Sequence, residues 1–190
     1  MPIILASQSP RRQELFRRLG LDFTIQTADI DETMDPCLPP EQEVARVSAL
    51  KAAKIAESCP EDTIVSADTI VVIDGKVLGK PEDAADAARM LRLLSGRTHE
   101  VMTGLCVRQG SRIAQTVSRS RVTFRELSDA EITAYIATGE PMDKAGAYGV
   151  QGYGSVLVSH LDGDFFSVMG LPLCELCGML RQFGLQILGI

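Results

Sequence analysis

The run Thr63-Ile64-Val65-Ser66-Ala67-Asp68-Thr69-Ile70-Val71-Val72-Ile73, followed at once by Asp74-Gly75, constrains this chain more than any other stretch. β-Branched residues dominate it, and Asp-Gly is a strong hairpin signal that returns the chain through Lys76 to Leu78. A sheet with this strand in it is therefore expected. Asp68 interrupts the run near its middle, where a carboxylate is expensive to bury unless a cation or donor meets it. It reads either as a strand end or bulge, or as a metal ligand or general base, since acids at strand ends are frequent site residues.

A second stretch, Leu5-Ala6-Ser7-Gln8-Ser9-Pro10-Arg11-Arg12, has residues suited to an anion. Ile3 to Leu5 read as a short strand, Ser9 stands where an N-cap would, and Pro10 takes the first helical position. Arg11 and Arg12 then put positive charge in the first turn, the wrong sign for a helix N-terminus. A bound phosphate would reverse the conflict, with the Ser7 and Ser9 hydroxyls, backbone donors and both guanidiniums converging on one polyanion. Pairing of the arginines with acids such as Glu14, or plain solvation, is the other reading.

Between these stretches, Leu15, Phe16 and Leu19 mark a helix closed by Gly20, and Phe23 to Gln26 read as a strand. Residues 28–40 form a loop with an acidic start, Asp29, Asp31, Glu32 and Asp35 standing among prolines; such loops are commonly just solvated. Glu41 to Glu57 read as a helix with Lys51 on or beside its apolar stripe, placed either to snorkel or to reach a cleft. After the hairpin, Gly79-Lys80-Pro81 leads to a helix expected from about Pro81 to Leu94, and Pro81 biases Lys80 toward an extended backbone. Lys80 then either points toward the opening arginines or is a surface lysine.

Two strands, Glu100 to Val107 and Ile113 to Phe124, are followed by the capping box Ser128-Asp129-Ala130-Glu131 and a helix to about Thr138. The segment Ala145 to Gly154 is the most glycine-dense in the chain but has neither a Walker nor a Rossmann frame. It reads as a flexible surface loop or as backbone brought close to a ligand, with Gln151 supplying an amide to read a base edge. Val156 to Leu161 and Phe165 to Met169 are expected as a last strand pair, before a helix carrying Leu173, Leu176, Met179, Leu180 and Phe183. The order of elements implies an α/β fold with a mixed sheet in which several strands are antiparallel by their hairpins.

The 190 residues suit a single domain, 1–190, in one or two lobes, and the 45% hydrophobic content is that of an ordinary globular chain. No apolar run is long enough to span a bilayer, and Met1 to Ala6 are too short for the core of a signal peptide. A net charge of −6 argues against broad binding to nucleic acid or an anionic membrane, so a phosphate site must be local. Cys37, Cys59, Cys106, Cys174 and Cys177 are odd in number and irregular in spacing, which suggests a reducing cytoplasm; Cys174 and Cys177 read as core thiols.

Seven blocks in order, L-A-S-Q-S-P-R-R at 5–12, D-I-D-E at 29–32, S-A-D-T-I-V at 66–71, L-G-K-P at 78–81, L-S-G-R-T-H at 94–99, D-K-A-G-A-Y-G-V-Q-G at 143–152 and G-L-P-L at 170–173, resemble the Maf family of nucleoside triphosphate pyrophosphatases. The resemblance covers nearly the whole chain. It implies a twisted mixed sheet flanked by helices, in two lobes with a central cleft, a fold shared with inosine triphosphate pyrophosphatases. It also implies hydrolysis between the α- and β-phosphates of a nucleotide with a divalent metal, Mg²⁺ or Mn²⁺. Ser7, Ser9, Arg11, Arg12, Lys51 and Lys80 would then meet the triphosphate, while Glu32 and Asp68 hold the metal and activate water, with Asp68 favoured as base. Asp68-Thr69 together with Gly149-Val150-Gln151-Gly152 resembles the branch acting on dTTP and UTP, and Thr69 and Gln151 can complement the O4/N3 edge of uracil. A nucleotide substrate, no nucleic-acid or membrane partner, and a homodimer follow as expectations. The family's other association, regulation of division or septum formation through a protein partner, is the alternative. A purine-directed pyrophosphatase of the inosine triphosphate type would share the chemistry but not these blocks.

Overall fold

A computed structural model describes residues 2–35 and 37–187. The strands are β1 (Ile3–Leu5), β2 (Thr24–Ile25), β3 (Thr63–Ile73), β4 (Lys76–Leu78), β5 (Thr98–Gln109), β6 (Arg112–Phe124) and β7 (Val158–Asp162). The helices are α1 (Pro10–Arg17), α2 (Pro40–Ala56), α3 (Ala84–Leu94), α4 (Asp129–Ala137), α5 (Phe165–Met169) and α6 (Leu173–Gln182). The sheet runs β2-β1-β3-β5-β6-β7, with β4 also on β3. It is mixed: β1 is parallel to β2 and β3, whereas β3–β4 and β6–β7 are antiparallel.

The expected centre is confirmed to the residue at β3. Asp74 and Gly75 have φ of 51° and 72°, the two left-handed residues that a tight hairpin turn demands, and Ile73 pairs with Lys76. β1 pairs with Thr63–Val65 and β4 with Val71–Ile73, so neither covers the intervening stretch. Asp68 lies in that stretch as an uninterrupted strand residue, neither strand end nor cap. Along β6, Ser118, Ser120 and Val122 are buried while Arg119 and Arg121 are exposed, as the period-2 pattern requires.

The chain divides into two compact units. The first comprises residues 1–68, 103–118 and 170–190. Its core includes Ile4, Ala6, Ala52, Ile55, Ile64 and Cys106. Helix α2 is seated closely on the strands: a Cβ at Gly104 would lie 2.4 Å from the Val44 carbonyl oxygen and 3.0 Å from Ser48 Oγ. The Ser66 hydroxyl donates to the Ser48 carbonyl at 2.6 Å, fixing the helix lengthwise as well. The second unit comprises residues 69–102 and 119–169. Leu91, Leu94, Phe124, Ile132 and Leu157 belong to its core.

Three expectations are corrected. Cys174 is exposed and Cys177 half-buried, so the pair does not form core thiols: α6 turns Leu176, Met179 and Leu180 inward instead. Phe165–Met169 is a helical turn, not a strand, because Asp164 Oδ1 accepts the Phe166 N–H at 2.9 Å and Ser120 Oγ accepts the Asp164 N–H at 3.0 Å, which starts a helix. Helix α3 begins at Ala84, capped by Asp83 through the Asp86 N–H at 2.8 Å, so Pro81 lies before it. The block L-S-G-R-T-H serves the second unit's architecture: Ser95 Oγ accepts the Leu127 N–H at 2.8 Å, Arg97 Nη2 donates to both Asp74 oxygens at 2.7 and 2.8 Å, and His99 Nε2 lies 2.8 Å from the Tyr148 hydroxyl.

Gly104→Ala should cost roughly 2 kcal/mol or more, the price of pushing α2 off its seat, as a lowered denaturation midpoint would show. His99 is 2% exposed, and burial lowers its pKa from 6.5 to about 4. A neutral buried imidazole resists protonation that the unfolded chain accepts, so stability is complete above pH 6.5 and falls toward pH 4, by up to about 3 kcal/mol. Chemical denaturation of wild type and His99→Phe between pH 4 and 7 should show a smaller pH slope in the variant.

Candidate active site

Lys51 lies about three turns along α2 among residues that pack inward, and its side chain is only 10% exposed. It does not snorkel to water. The helix seat on Gly104 and Ser66 aims it at β3, where Nζ donates to Asp68 Oδ1 at 2.8 Å. The same ammonium lies 3.0 Å from Glu32 Oε1. One buried cation thus bridges two carboxylates from separate segments, which is how the sheet accommodates an acid in an apolar strand. The acidic loop is more than a solvated face, since Glu32 is brought to this point.

The opening turn forms as its residues require. Ser9 caps α1, its Oγ accepting the Arg12 N–H at 3.5 Å, and the Ser9 N–H donates to Ser7 Oγ at 3.2 Å. Each hydroxyl still has its own hydrogen to donate. Glu14 pairs with Arg18 at 2.7 Å. No acid stands in the first turn of α1. Arg12 Nε donates to the Gly170 carbonyl at 2.8 Å, which gives the G-L-P-L block a role: it orients this guanidinium. Burial lowers the pKa of Arg12; Asp68 and Glu32 oppose that lowering and Arg11 adds to it. Arg11, Arg12, Glu32 and Asp68 therefore share one electrostatic neighbourhood around Lys51.

Three of the expected residues belong to the second unit. Thr69 follows Asp68 in β3, and consecutive residues of an extended strand project to opposite faces. Lys80 is exposed in the turn after β4. Gln151 is half-buried and stands at the entry to a 3₁₀ turn, Gly152–Leu157. The glycine-rich segment is not a loose surface loop. Residues 146–149 are buried, and the Gly146 N–H donates to the Gly79 carbonyl at 3.0 Å, tying this segment to the residue before Lys80. A Cβ on Gly146 would also press on the Val71 methyls at 3.0 Å. Ala147 adopts a φ of 59°, left-handed backbone that costs energy without glycine.

Glu140 and Tyr135 organise this segment, and neither stood out in the sequence. The Glu140 carboxylate accepts from the Tyr153 and Gly154 amides and from the Tyr135 hydroxyl, each at 2.9 Å. The Tyr135 oxygen in turn accepts the Gly149 N–H at 3.1 Å. Burial alone would raise the pKa of Glu140, but those amides, the hydroxyl and Lys144 outweigh it and hold the group below the usual range. Residue type alone does not mark either one: Tyr135 shares the inner side of α4 with Ile132, three residues away, and Glu140 stands in the turn that follows.

For a metal, the donor set is two hard carboxylates, Glu32 and Asp68, facing one ammonium. Among the described residues, no group of three or more His, Cys, Asp or Glu is arranged to hold a metal ion. Two carboxylates fit the manner in which Mg²⁺ is bound in nucleotide enzymes, with one or two protein ligands and the rest from phosphate and water. They do not suit a metal wanting thiolate or imidazole. Among the described residues, no helix is long and apolar enough to cross a membrane.

The chain is 50% identical to a dTTP/UTP pyrophosphatase of Moorella thermoacetica over 98% of its length and 97% of the relative's. It is 46% identical to a protein of the same name from Bacillus cytotoxicus, over 95% and 94% of the two chains. Among solved structures, a nucleoside-triphosphatase / dITP/XTP pyrophosphatase from Mycobacterium abscessus aligns with 97% of this chain and 96% of its own, at 14% identity and a TM-score of 0.47. The family model described as Maf-like protein matches residues 2–183. With a match of that extent and relatives this similar over almost their whole length, the chain belongs to the Maf family.

Proposed function

We propose that this protein hydrolyses pyrimidine nucleoside triphosphates, dTTP and UTP together with modified uridine and cytidine triphosphates, to the nucleoside monophosphate and pyrophosphate. The observation that carries the reading is the Lys51 ammonium between Glu32 and Asp68, with Arg12 in the same electrostatic neighbourhood. Two acids meeting one ammonium, with Arg12 in their electrostatic range, supply what phosphoryl transfer asks of a protein, charge neutralisation and positioning. The names of the relatives favour this reading over regulation through a protein partner.

In the proposed reaction, Ser7, Ser9, Arg11, Arg12, Lys51 and Lys80 bind phosphate oxygens and hold the chain of phosphates extended. Asp68 accepts the proton of a water whose oxygen bonds to the α-phosphorus, while the bond from that phosphorus to the bridging oxygen breaks and pyrophosphate leaves. Lys51, already at Asp68 Oδ1, keeps that carboxylate oriented. Glu32 and Asp68 would hold Mg²⁺ or Mn²⁺, which when bound neutralises phosphate charge and makes water more acidic. We assign base preference to Gln151 and Thr69, whose amide and hydroxyl complement the O4/N3 edge of a uracil ring. The five free thiols suit a reducing cytoplasm.

A pyrophosphate-release assay with Mg²⁺ or Mn²⁺ tests the reaction. Asp68→Asn should lower kcat by about 10²-fold or more with the fold retained, and equal rates in both proteins would sink the assignment. Gln151→Ala should lower the ratio of UTP to GTP turnover roughly tenfold, the worth of one lost hydrogen bond. An unchanged ratio would remove Gln151 from base recognition.

A further inference from the structure

Glu32 has an unusual situation for a residue held 3.0 Å from a buried ammonium, because its own side chain is 55% exposed. Packing does not fix it. Its backbone is fixed instead, and the anchor is on the helix that carries Lys51. Glu43, in the first turn of α2, is fully buried at 0% exposure. Its Oε1 accepts the Asp35 N–H at 3.1 Å, and its Oε2 accepts from Arg46 Nε at 2.9 Å. Arg46 Nη2 donates to Glu43 Oε1 and also to the Thr33 carbonyl, the latter at 3.0 Å. On the other side of Glu32, Asp31 Oδ1 accepts the Thr33 N–H at 2.8 Å and closes a small turn around it.

We propose that the Glu43–Arg46 pair is a positioning device that grips the backbone at Thr33 and Asp35 and so presents Glu32 to Lys51. The inference rests on the working role given to Glu32 above. A helix-surface pair three residues apart would be worth little, and burying a carboxylate to make one is costly unless its remaining lone pairs are used. Here they are used on the loop. The guanidinium fork is what allows one side chain to satisfy both Glu43 oxygens and a carbonyl at the same time; an ammonium could cancel the charge but not span all three acceptors. Both α2 residues lie on the same rigid helix as Lys51, so the loop and the ammonium move together.

Arg46→Lys is the informative variant, because it keeps Glu43 neutralised and the fold intact by melting temperature while loosening the grip. Hydrogen exchange of the free protein should be faster at the Thr33 and Asp35 amides. Turnover should fall about tenfold in kcat with KM altered much less, since a displaced group loses positioning rather than binding. The decisive measurement is the cycle with Glu32→Gln: once Glu32 is neutralised, Arg46→Lys should cost less than a further twofold. An equal, multiplicative loss in that background would show that Arg46 acts elsewhere and overturn the proposal, as would unchanged amide exchange. If Glu32→Gln alone left kcat unchanged, the functional assignment of Glu32 would fall instead, while the exchange data would still decide whether the tether exists.

Discussion

Much of the first unit is arranged around a single ammonium group. Lys51 is buried, and a buried cation without partners would cost several kcal/mol, so its position is possible only because Asp68 and Glu32 come to it. The converse holds for Asp68, an acid inside a strand of β-branched residues. Each of the two would be a defect alone. Together they make β3 and α2 mutually dependent, and the missing side chain at Gly104 lets the helix come close enough for the pair to meet. Arg12, held by the Gly170 carbonyl, adds a second cation to the same neighbourhood.

Local chemistry made much of this legible in advance. β3 and its hairpin follow from β-branching and an Asp-Gly turn, and the capping box at Ser128 and Glu131 forms as spacing dictates, with Glu131 Oε2 on the Ser128 N–H at 2.8 Å. Ser9 and Pro10 open α1 for the same reason. Phe165–Met169 was misread because a short apolar run has no period of its own; the turn is started by the Asp164 carboxylate on the Phe166 N–H, and Asp164 is itself anchored by Ser120, a residue from β6 that no local pattern could supply. The first turn of α3 was misplaced because two helix-starting signals, Pro81 and Asp83, stand close together and the carboxylate cap prevailed.

The candidate site shows the same division. Individual residues could be named from the chain because each broke a local rule: arginines at a helix N-terminus, an acid in a strand, a lysine on an apolar stripe. The groups that hold them broke no rule. Glu43 and Arg46 look like any exposed i,i+3 pair, and Glu140 like an acid in a turn, yet their work is to bond backbone amides and carbonyls brought near only by folding. Backbone partners leave no trace in residue type, so the supporting framework of a site is harder to read than the site.

The bond from the Gly146 amide to the Gly79 carbonyl makes one piece of two segments distant in sequence. One end of that piece carries Lys80 and the other leads to Gln151 through amides that Glu140 and Tyr135 hold still. The separation of the two positions is therefore set by main chain: hydrogen bonds between backbone groups, and from the Glu140 and Tyr135 side chains to backbone amides, fix how far apart Lys80 and Gln151 leave the chain, whatever rotamers their side chains adopt.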